Sequence, residues 1–547
     1  MNQQRHIIKR QVIEIKTDSQ PLAQEIQSRI SQRVTQQINK LLDQHCSRLS
    51  SPDTIHRIQY LEIDLGVINV TNLENDFTKK FNSQLKQQLA LYIKPYISES
   101  TETPVKHKKF TSQLELLSYF ANTGRLPWWA DVQQTQLLER TLDFLLQNTQ
   151  QLFQQKLREF IRQESPLIRL IQYYDNTRLI QLLVLVANNH QHELHKLAER
   201  FTSVMPQLNC LAEYPTSQIK QATWYALFNY AINTSQDSPY YSGSDVVLHI
   251  ISKQLAIPYV VLLNELQVLD SSFFANKPHK DEHPTLSSLI LKLKNNPENP
   301  ELLNKIHTLI PKPNCPEFFL EEVLIILQQI KFKASDPKNF LTAVTNITQA
   351  IDTKSLNSQD QHPFRKSQLD NDDTKTNSFS SADEIYINNA GLVILWPFMQ
   401  RFFENMQWLQ KKRFKDDSAQ QDAVTALHYL ATGETKALEF MLPLNKLICG
   451  MQVDTLYAQD SALSQSELIA CDELLKAVIA NAPILKNTSL PGFRTSFLNR
   501  QGILSKRDGA WLLQVERETF DLILDRFPWS FEWFKLPWMP LAMRVEW

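Results

Sequence analysis

The chain has 547 residues, 42% of them apolar, with 57 Lys and Arg against 58 Asp and Glu. That length suggests three or four domains, and that apolar share excludes a largely disordered chain. The near-zero net charge argues against a dedicated nucleic-acid binder, which needs a basic excess to neutralise phosphates. Glycine is scarce: the nine present are about a quarter of the usual share near 7%. Few backbone positions can therefore require φ > 0, which lowers the standing of large all-β folds and glycine-rich phosphate loops.

In chain order, residues 1–100 read as a β-α-β-α module. Ile7, Ile8, Val12, Ile13 and Ile15 suggest a first strand. A helix follows from Pro21, with apolar residues at Leu22, Ile26, Ile30, Val34, Ile38 and Leu42, an i+4 stripe on a polar background. Leu61, Ile63 and Leu65 alternate with Tyr60, Glu62 and Asp64 as a second strand ending at Gly66, and Leu73, Phe77, Phe81, Leu85 and Leu89 stripe a second helix. Two strands make a marginal sheet, so added strands from a second copy or from the distant C-terminus are expected. The narrow stripe of the first helix suits either its own strands or an oligomer contact.

Residues 110–350 read as serial amphipathic helices, as in stacked helical hairpins. The first passes through Leu114, Leu117 and Phe120 and stops at Gly124, and Pro127 restarts the chain before Trp128 and Trp129. Helical patterns follow at 137–161, 167–187, 192–205, 219–232, 244–263, 286–293, 302–309 and 318–330. No repeat period emerges, so no named solenoid is indicated. Residues 352–382 are rich in Ser, Asp, Asn and Lys and read as a flexible linker.

Residues 384–547 form a Trp-rich α+β domain, helical to about residue 500 and then a hairpin, helix and strand. Asp508-Gly509 between β-type residues asks for a two-residue type I′ turn. That turn sets Leu504 opposite Leu513 and Lys506 opposite Trp511. Phe520, Ile523, Leu524 and Phe527 mark a short helix, and 543–547 alternate like a strand. The expected fold is thus mainly α with small α+β modules at both ends.

No chemistry-bearing motif is recognisable: no Walker loop, dinucleotide fingerprint, nucleophile elbow, HExxH or EF-hand loop occurs. His190, His192 and His195 with Glu193 could offer ligands to a divalent ion, but no carboxylate or cysteine is spaced to complete the site, and a solvated helix start is the simpler reading. The run 106–109 and the histidines His279 and His283 read as exposed, solvated segments. The five cysteines, Cys46, Cys210, Cys315, Cys449 and Cys471, are scattered, as in reduced cytosolic proteins. The N-terminus lacks the apolar core of a secretion signal, and no apolar run approaches the roughly 20 residues needed to span a bilayer. No enzymatic activity, cofactor or metal is expected.

Seven of the ten tryptophans follow the linker, and four fall in the last 19 residues. Aromatic residues of this density suit an interface as well as a core. Trp511 and Trp529 are expected inside. Trp533, Trp538 and Trp547, with Trp128 and Trp129, are the candidate partner-binding residues.

Several segments together resemble the tape measure proteins of contractile injection systems, the phage-tail-like extracellular particles. These are RHIIKRQVIEI (5–15), RIQYLEIDLGVI (57–68) and the block from Phe120 through GRLPWWA (124–130). In the C-terminal half they are NNAGLVILWPF (388–398), LHYLATGE (427–434), LPLNKLICG (442–450), LKNTS (485–489), FLNRQGIL (497–504), WLLQVER (511–517) and the ending from LDRFPWSF to VEW. The resemblance implies a non-enzymatic assembly factor that sets the length of tube and sheath. It implies tube, baseplate or spike, and terminator proteins as partners, and a cytoplasmic location in the producing bacterium, with retention in the particle left open. Self-association through the N-terminal module is a further expectation. An assembly chaperone or baseplate and tube adaptor is the alternative role.

Overall fold

The computed structural model describes, apart from short breaks, residues 6–49, 56–93, 104–131, 136–148, 151–187, 191–233, 243–269 and 384–547, with scattered helical positions between 289 and 345. The helices expected at 286–293, 302–309 and 318–330 fall largely outside these residues, as do the expected linker, His190, His279, His283 and Cys315. Two compact units result: residues 1–119 with 126–149, and residues 120–125 with 150–547.

In the first unit, α1 (Gln20–Leu49) and α2 (Leu73–Ile93) pack against each other. Ile26 and Ile38 of α1 meet Leu73, Phe77, Phe81, Leu85 and Leu89 of α2 in a buried seam. Polar residues at its margin tie the helices together: Thr78 Oγ1 donates to Gln37 Oε1 at 2.8 Å, and His45 lies 2.6 Å from Asn82 Oδ1. Ile13, Ile58, Leu61, Ile63, Leu65 and Ile68 cover the seam. The alternation read at 60–65 is present as burial, inward for Leu61, Ile63 and Leu65 and outward for Tyr60, Glu62 and Asp64. Yet neither 11–17 nor 60–69 joins a ladder among the described residues, so the β character expected of these segments is not realised there. The side chains already bury themselves on the two helices, and a sheet of two strands adds little. The same unit holds most of α3 (Pro104–Thr123) and α4 (Leu137–Gln147). The basic run 106–109, read as a solvated segment, lies in the first turns of α3.

The second unit begins with α5 (Gln151–Ile161), α6 (Glu164–Tyr173), α7 (Asn176–Val186), α8 (Gln191–Val204), α9 (Thr216–Asn233), α10 (Gly243–Leu255) and α11 (Tyr259–Leu269). Three stretches read as single helices are each split. Asn148 ends α4, Asp175 starts α7 by accepting from the backbone of Arg178, and Ala256, at φ 54, with Pro258 separates α10 from α11. Periodicity alone runs through such breaks because the apolar stripe continues beyond them. Helix α9 is buried from Ala222 to Phe228 on every side, with α6, α7, α8 and α10 around it. Trp224, fully enclosed, donates its indole N–H to Asn176 Oδ1 at 2.9 Å.

The C-terminal part combines α12 (Trp396–Asn405), α13 (Asp417–Thr432), α14 (Pro443–Ile448), α15 (Gln465–Asn481) and α16 (Leu490–Phe493), the last continuing as a π turn over Arg494–Leu498. The strands are β1 (Ile385–Ile387), β2 (Leu409–Gln410), β3 (Arg413–Phe414), β4 (Gly502–Arg507), β5 (Ala510–Val515), β6 (Trp533–Phe534) and β7 (Met543–Glu546). One sheet has the order β1-β4-β5-β7-β6, and β2 with β3 makes a separate hairpin. In the β4–β5 hairpin, Leu504 faces Leu513 and Lys506 faces Trp511, the register set by the Asp508-Gly509 turn. Both turn residues have positive φ, 50° and 74°, as a type I′ turn requires. The final strand β7 lies parallel to β5. The segment read as a short helix, Thr519–Arg526, is a 3-10 helix.

Candidate functional site

Two buried charge clusters organise the second unit. The first starts from Arg169, a cation set in the apolar run Leu167, Ile168, Leu170 and Ile171 of α6, all buried. A charge there must find partners in the interior. Arg169 Nε donates to Glu439 Oε2 at 3.0 Å. Its remaining nitrogens donate to the carbonyls of Ala121, Asn122 and Asp454 at 3.0, 2.8 and 2.6 Å. Lys446 of α14 binds the other oxygen of Glu439 at 2.8 Å and gives its remaining donors to the carbonyls of Val453 and Thr455. Arg125 Nε donates to Asp454 Oδ1 at 2.8 Å. Burial pushes the Lys446 ammonium below its usual range, and Glu439 opposes that shift. Arg169 and Lys446 are each 1% exposed and Glu439 5%. Both cations donate into the fold and Glu439 accepts from both, so the cluster joins segments and these three groups are closed to solvent.

This cluster accounts for two segments singled out in the sequence. Gly124 ends α3 at φ +70, and a Cβ there would sit 2.3 Å from a Glu439 carboxylate oxygen. The GRLPWWA block therefore supplies both the gap that admits Glu439 and, through Arg125, a partner for Asp454. The block LPLNKLICG supplies Lys446, and also Asn445, whose amide accepts from Asn389 at 2.7 Å and donates to the carbonyl of Val424.

The second cluster closes the C-terminus. Arg500 makes a bidentate pair with Asp521 at 3.0 and 2.6 Å and donates to the carbonyls of Glu516 and Ser496. Trp547 donates its indole N–H to Asp521 Oδ2 at 3.0 Å and packs edge-on against Phe531.

The candidate tryptophans occupy different settings. Trp511 is buried; Trp529 is half-buried and donates to the carbonyl of Ile394, while Trp396 donates back to that of Ser530. Trp538 donates to the carbonyl of Ile448 and packs on Phe403 and Phe414. Trp547 is held as described above. Trp533, on the short edge strand β6, is 61% exposed. In the first unit, Trp128 and Trp129 are half-buried, and the Arg57 guanidinium lies 3.7 Å over the Trp129 ring while reaching Ser112 and Glu115. His192 and His195 lie on α8, where His195 pairs with Glu199 at 3.4 Å. No group of three metal-ligating side chains occurs among the described residues.

Arg169, Glu439, Lys446, Asp454, Arg500 and Asp521 were not singled out in the sequence. For Arg169 a signal existed, a lone charge inside an apolar run. For Glu439 there was none: Arg169 lies 270 positions away, and Lys446, seven positions on, does not share a helix with it.

Two buried histidines add a pH dependence. Burial, reinforced by Lys253, depresses His249 from 6.5 to about 3, and burial lowers His428, against the pull of Glu434. The unfolded chain takes up these protons near pH 6.5 while the folded chain resists them. For His249, stability therefore falls as pH drops from about 6.5 toward 3, by at most about 1.4 kcal/mol per pH unit, and His428 adds a loss in the same direction. Urea unfolding at pH 7 and pH 5 is expected to show this loss, and His249→Gln is expected to reduce the slope.

The geometry defines a mainly helical chain whose buried ionic groups tie distant segments of its own fold. A family model described as contractile injection system tape measure protein matches residues 5–547. The chain belongs to that family. Comparisons with curated proteins and with solved structures give no match.

Proposed function

We propose that this chain sets the length of the tube and sheath of a contractile injection particle as a non-enzymatic assembly factor. The observation that carries this reading is the family match over essentially the whole chain, residues 5–547. Its partners on this reading are the tube, baseplate or spike, and terminator proteins, met in the cytoplasm of the producing cell. No described helix is long and apolar enough to cross a membrane. The exposed side chains Val12, Tyr60 and Val67 beside the α1–α2 seam support self-association of the first unit. Trp533, Trp538, Trp547, Trp128 and Trp129 remain the proposed partner contacts, with Trp533 the most accessible.

Removing the gene should abolish particles of uniform length, and restoring it in trans should recover them. Particles of normal length without the chain would end the proposal. A second reading, an assembly chaperone or adaptor, is favoured by the compact second unit, which is unlike an extended rod. Trp533→Ser is expected to weaken capture of a purified tube or baseplate protein with little change in melting temperature. Equal capture by both chains would remove Trp533 from the contact.

A further inference from the structure

The hairpin β2–β3 takes no part in the roles above. Leu409 pairs with Phe414 and Gln410 with Arg413, leaving Lys411-Lys412 as the whole turn. Lys411 has φ 50° and Lys412 φ 62°, and Gln407 enters the hairpin at φ 57°. Two-residue hairpin turns with positive φ at both centres favour Asn-Gly or Asp-Gly. The other hairpin of this chain obeys that preference at Asp508-Gly509. A lysine pair has no conformational reason to stand in such a turn. Backbone strain of this kind persists where the surroundings impose it and clusters at binding sites.

The surroundings do impose it. Trp408 is buried against Phe402 and Phe403, and the Lys415 N–H donates to the Trp408 carbonyl at 3.0 Å. Phe414 packs on Phe403 at 5.7 Å and edge-on to Trp538 at 5.4 Å. The base is thus locked while Lys411, Lys412, Arg413 and Lys415 are all exposed. None of these four cations forms an ion pair among the described residues. Asp416 and Asp417 follow, but Asp416 is occupied in capping α13 through the Ala419 N–H at 2.7 Å.

The tip is charged and free of apolar side chains, since Leu409 and Phe414 pack into the domain. It has no aromatic platform for bases and no wedge for a bilayer. Four cations clustered on one short hairpin do not make the stripe that follows a nucleic-acid backbone. They match a cluster of carboxylates on a protein, which accept from ammonium and guanidinium groups and steer association.

We propose that the β2–β3 hairpin is a rigid basic finger that docks an acidic segment of a protein partner. The proposal rests on the assembly reading only in taking that partner to be a particle component.

The test uses the full-length chain and a fluorescein-labelled decaglutamate peptide, read by anisotropy. K411N/K412G installs the preferred turn and removes two charges. It is expected to weaken peptide binding about tenfold or more while raising the melting temperature by about 2–4 °C. K476Q/K535Q, which removes two exposed charges elsewhere, is expected to leave binding unchanged. Unchanged affinity in K411N/K412G, an equal loss in K476Q/K535Q, or tighter binding to a single-stranded oligonucleotide or phosphatidylglycerol vesicles would overturn the proposal. Because no particle is needed, failure here is separable from failure of the length-setting role.

Discussion

Glu439→Gln is expected to destabilise the second unit by about 3–5 kcal/mol, the cost of leaving buried charges without their counter-ion. Glu439 is the carboxylate shared by Arg169 and Lys446, one oxygen to each. Gln keeps the shape but removes the charge and turns an amide NH2 toward one of the two cations. The carbonyls that complete each cation's shell remain, yet they cannot offset its charge. Urea unfolding of the full chain, followed through the tryptophans, measures the loss. Salt sharpens the interpretation. Surface pairs weaken as ionic strength rises, whereas a pair this buried is screened little. The difference between wild type and Glu439→Gln is therefore expected to persist in 1 M salt. A cost below about 1 kcal/mol would mean that the cluster behaves as a surface pair and does not hold α6 and residues 120–125 to residues 439–455.

Gly391→Ala is expected to cost at least about 3 kcal/mol, the upper end of overpacking penalties. A Cβ at Gly391 would lie 1.7 Å from the carbonyl oxygen of Phe497 and 2.8 Å from the Cα of Leu498. Both obstacles are backbone, so no rotamer change relieves them. Relief requires parting the segment Ala390–Leu395 from the π turn that follows α16, where Phe497 and Leu498 are themselves buried. Gly509 offers the contrast. Its added Cβ would meet nothing, and only its φ of +74 is unfavourable, so Gly509→Ala is expected to cost about 1–2 kcal/mol. Measured stabilities in the reverse order would contradict the packing described for the NNAGLVILWPF segment.

Local rules made part of this fold legible. The Asp508-Gly509 turn set the register of β4 and β5 residue by residue, because a two-residue loop leaves no freedom. The i+4 stripe of α2 became the buried seam of the first unit. The β2–β3 hairpin escaped notice because Lys-Lys occupies a turn that usually announces itself with Asn or Gly. Helix breaks at Asp175 and Pro258 were hidden by apolar stripes that continue across them. The buried clusters were illegible for a different reason. Glu439 looks like any surface glutamate until Arg169 arrives from 270 positions away. Tertiary pairing of this kind leaves no periodic trace. The aromatic tail was conspicuous by composition, yet only structure separates Trp538 and Trp547, whose indole N–H groups are used within the domain, from the exposed Trp533.

The two charge clusters bear on how a tape measure can act. A ruler is simplest as an extended rod. Residues 120–125 with 150–547, in contrast, form a compact unit closed by ion pairs drawn from distant segments. On the length-setting reading that unit must open as the particle elongates; a unit that stays closed fits the chaperone or adaptor reading instead. No described residue between α11 and β1 takes part in either charge cluster.

The most direct measurement is the particle length produced by a chain lacking residues 270–319, imaged beside particles made with the complete chain. A ruler that reads its own contour as helix loses about 75 Å for those fifty residues, at about 1.5 Å each. The length-setting account predicts a narrow distribution shifted down by about that amount. Particles fewer in number but unchanged in length would contradict it and leave the chaperone or adaptor role.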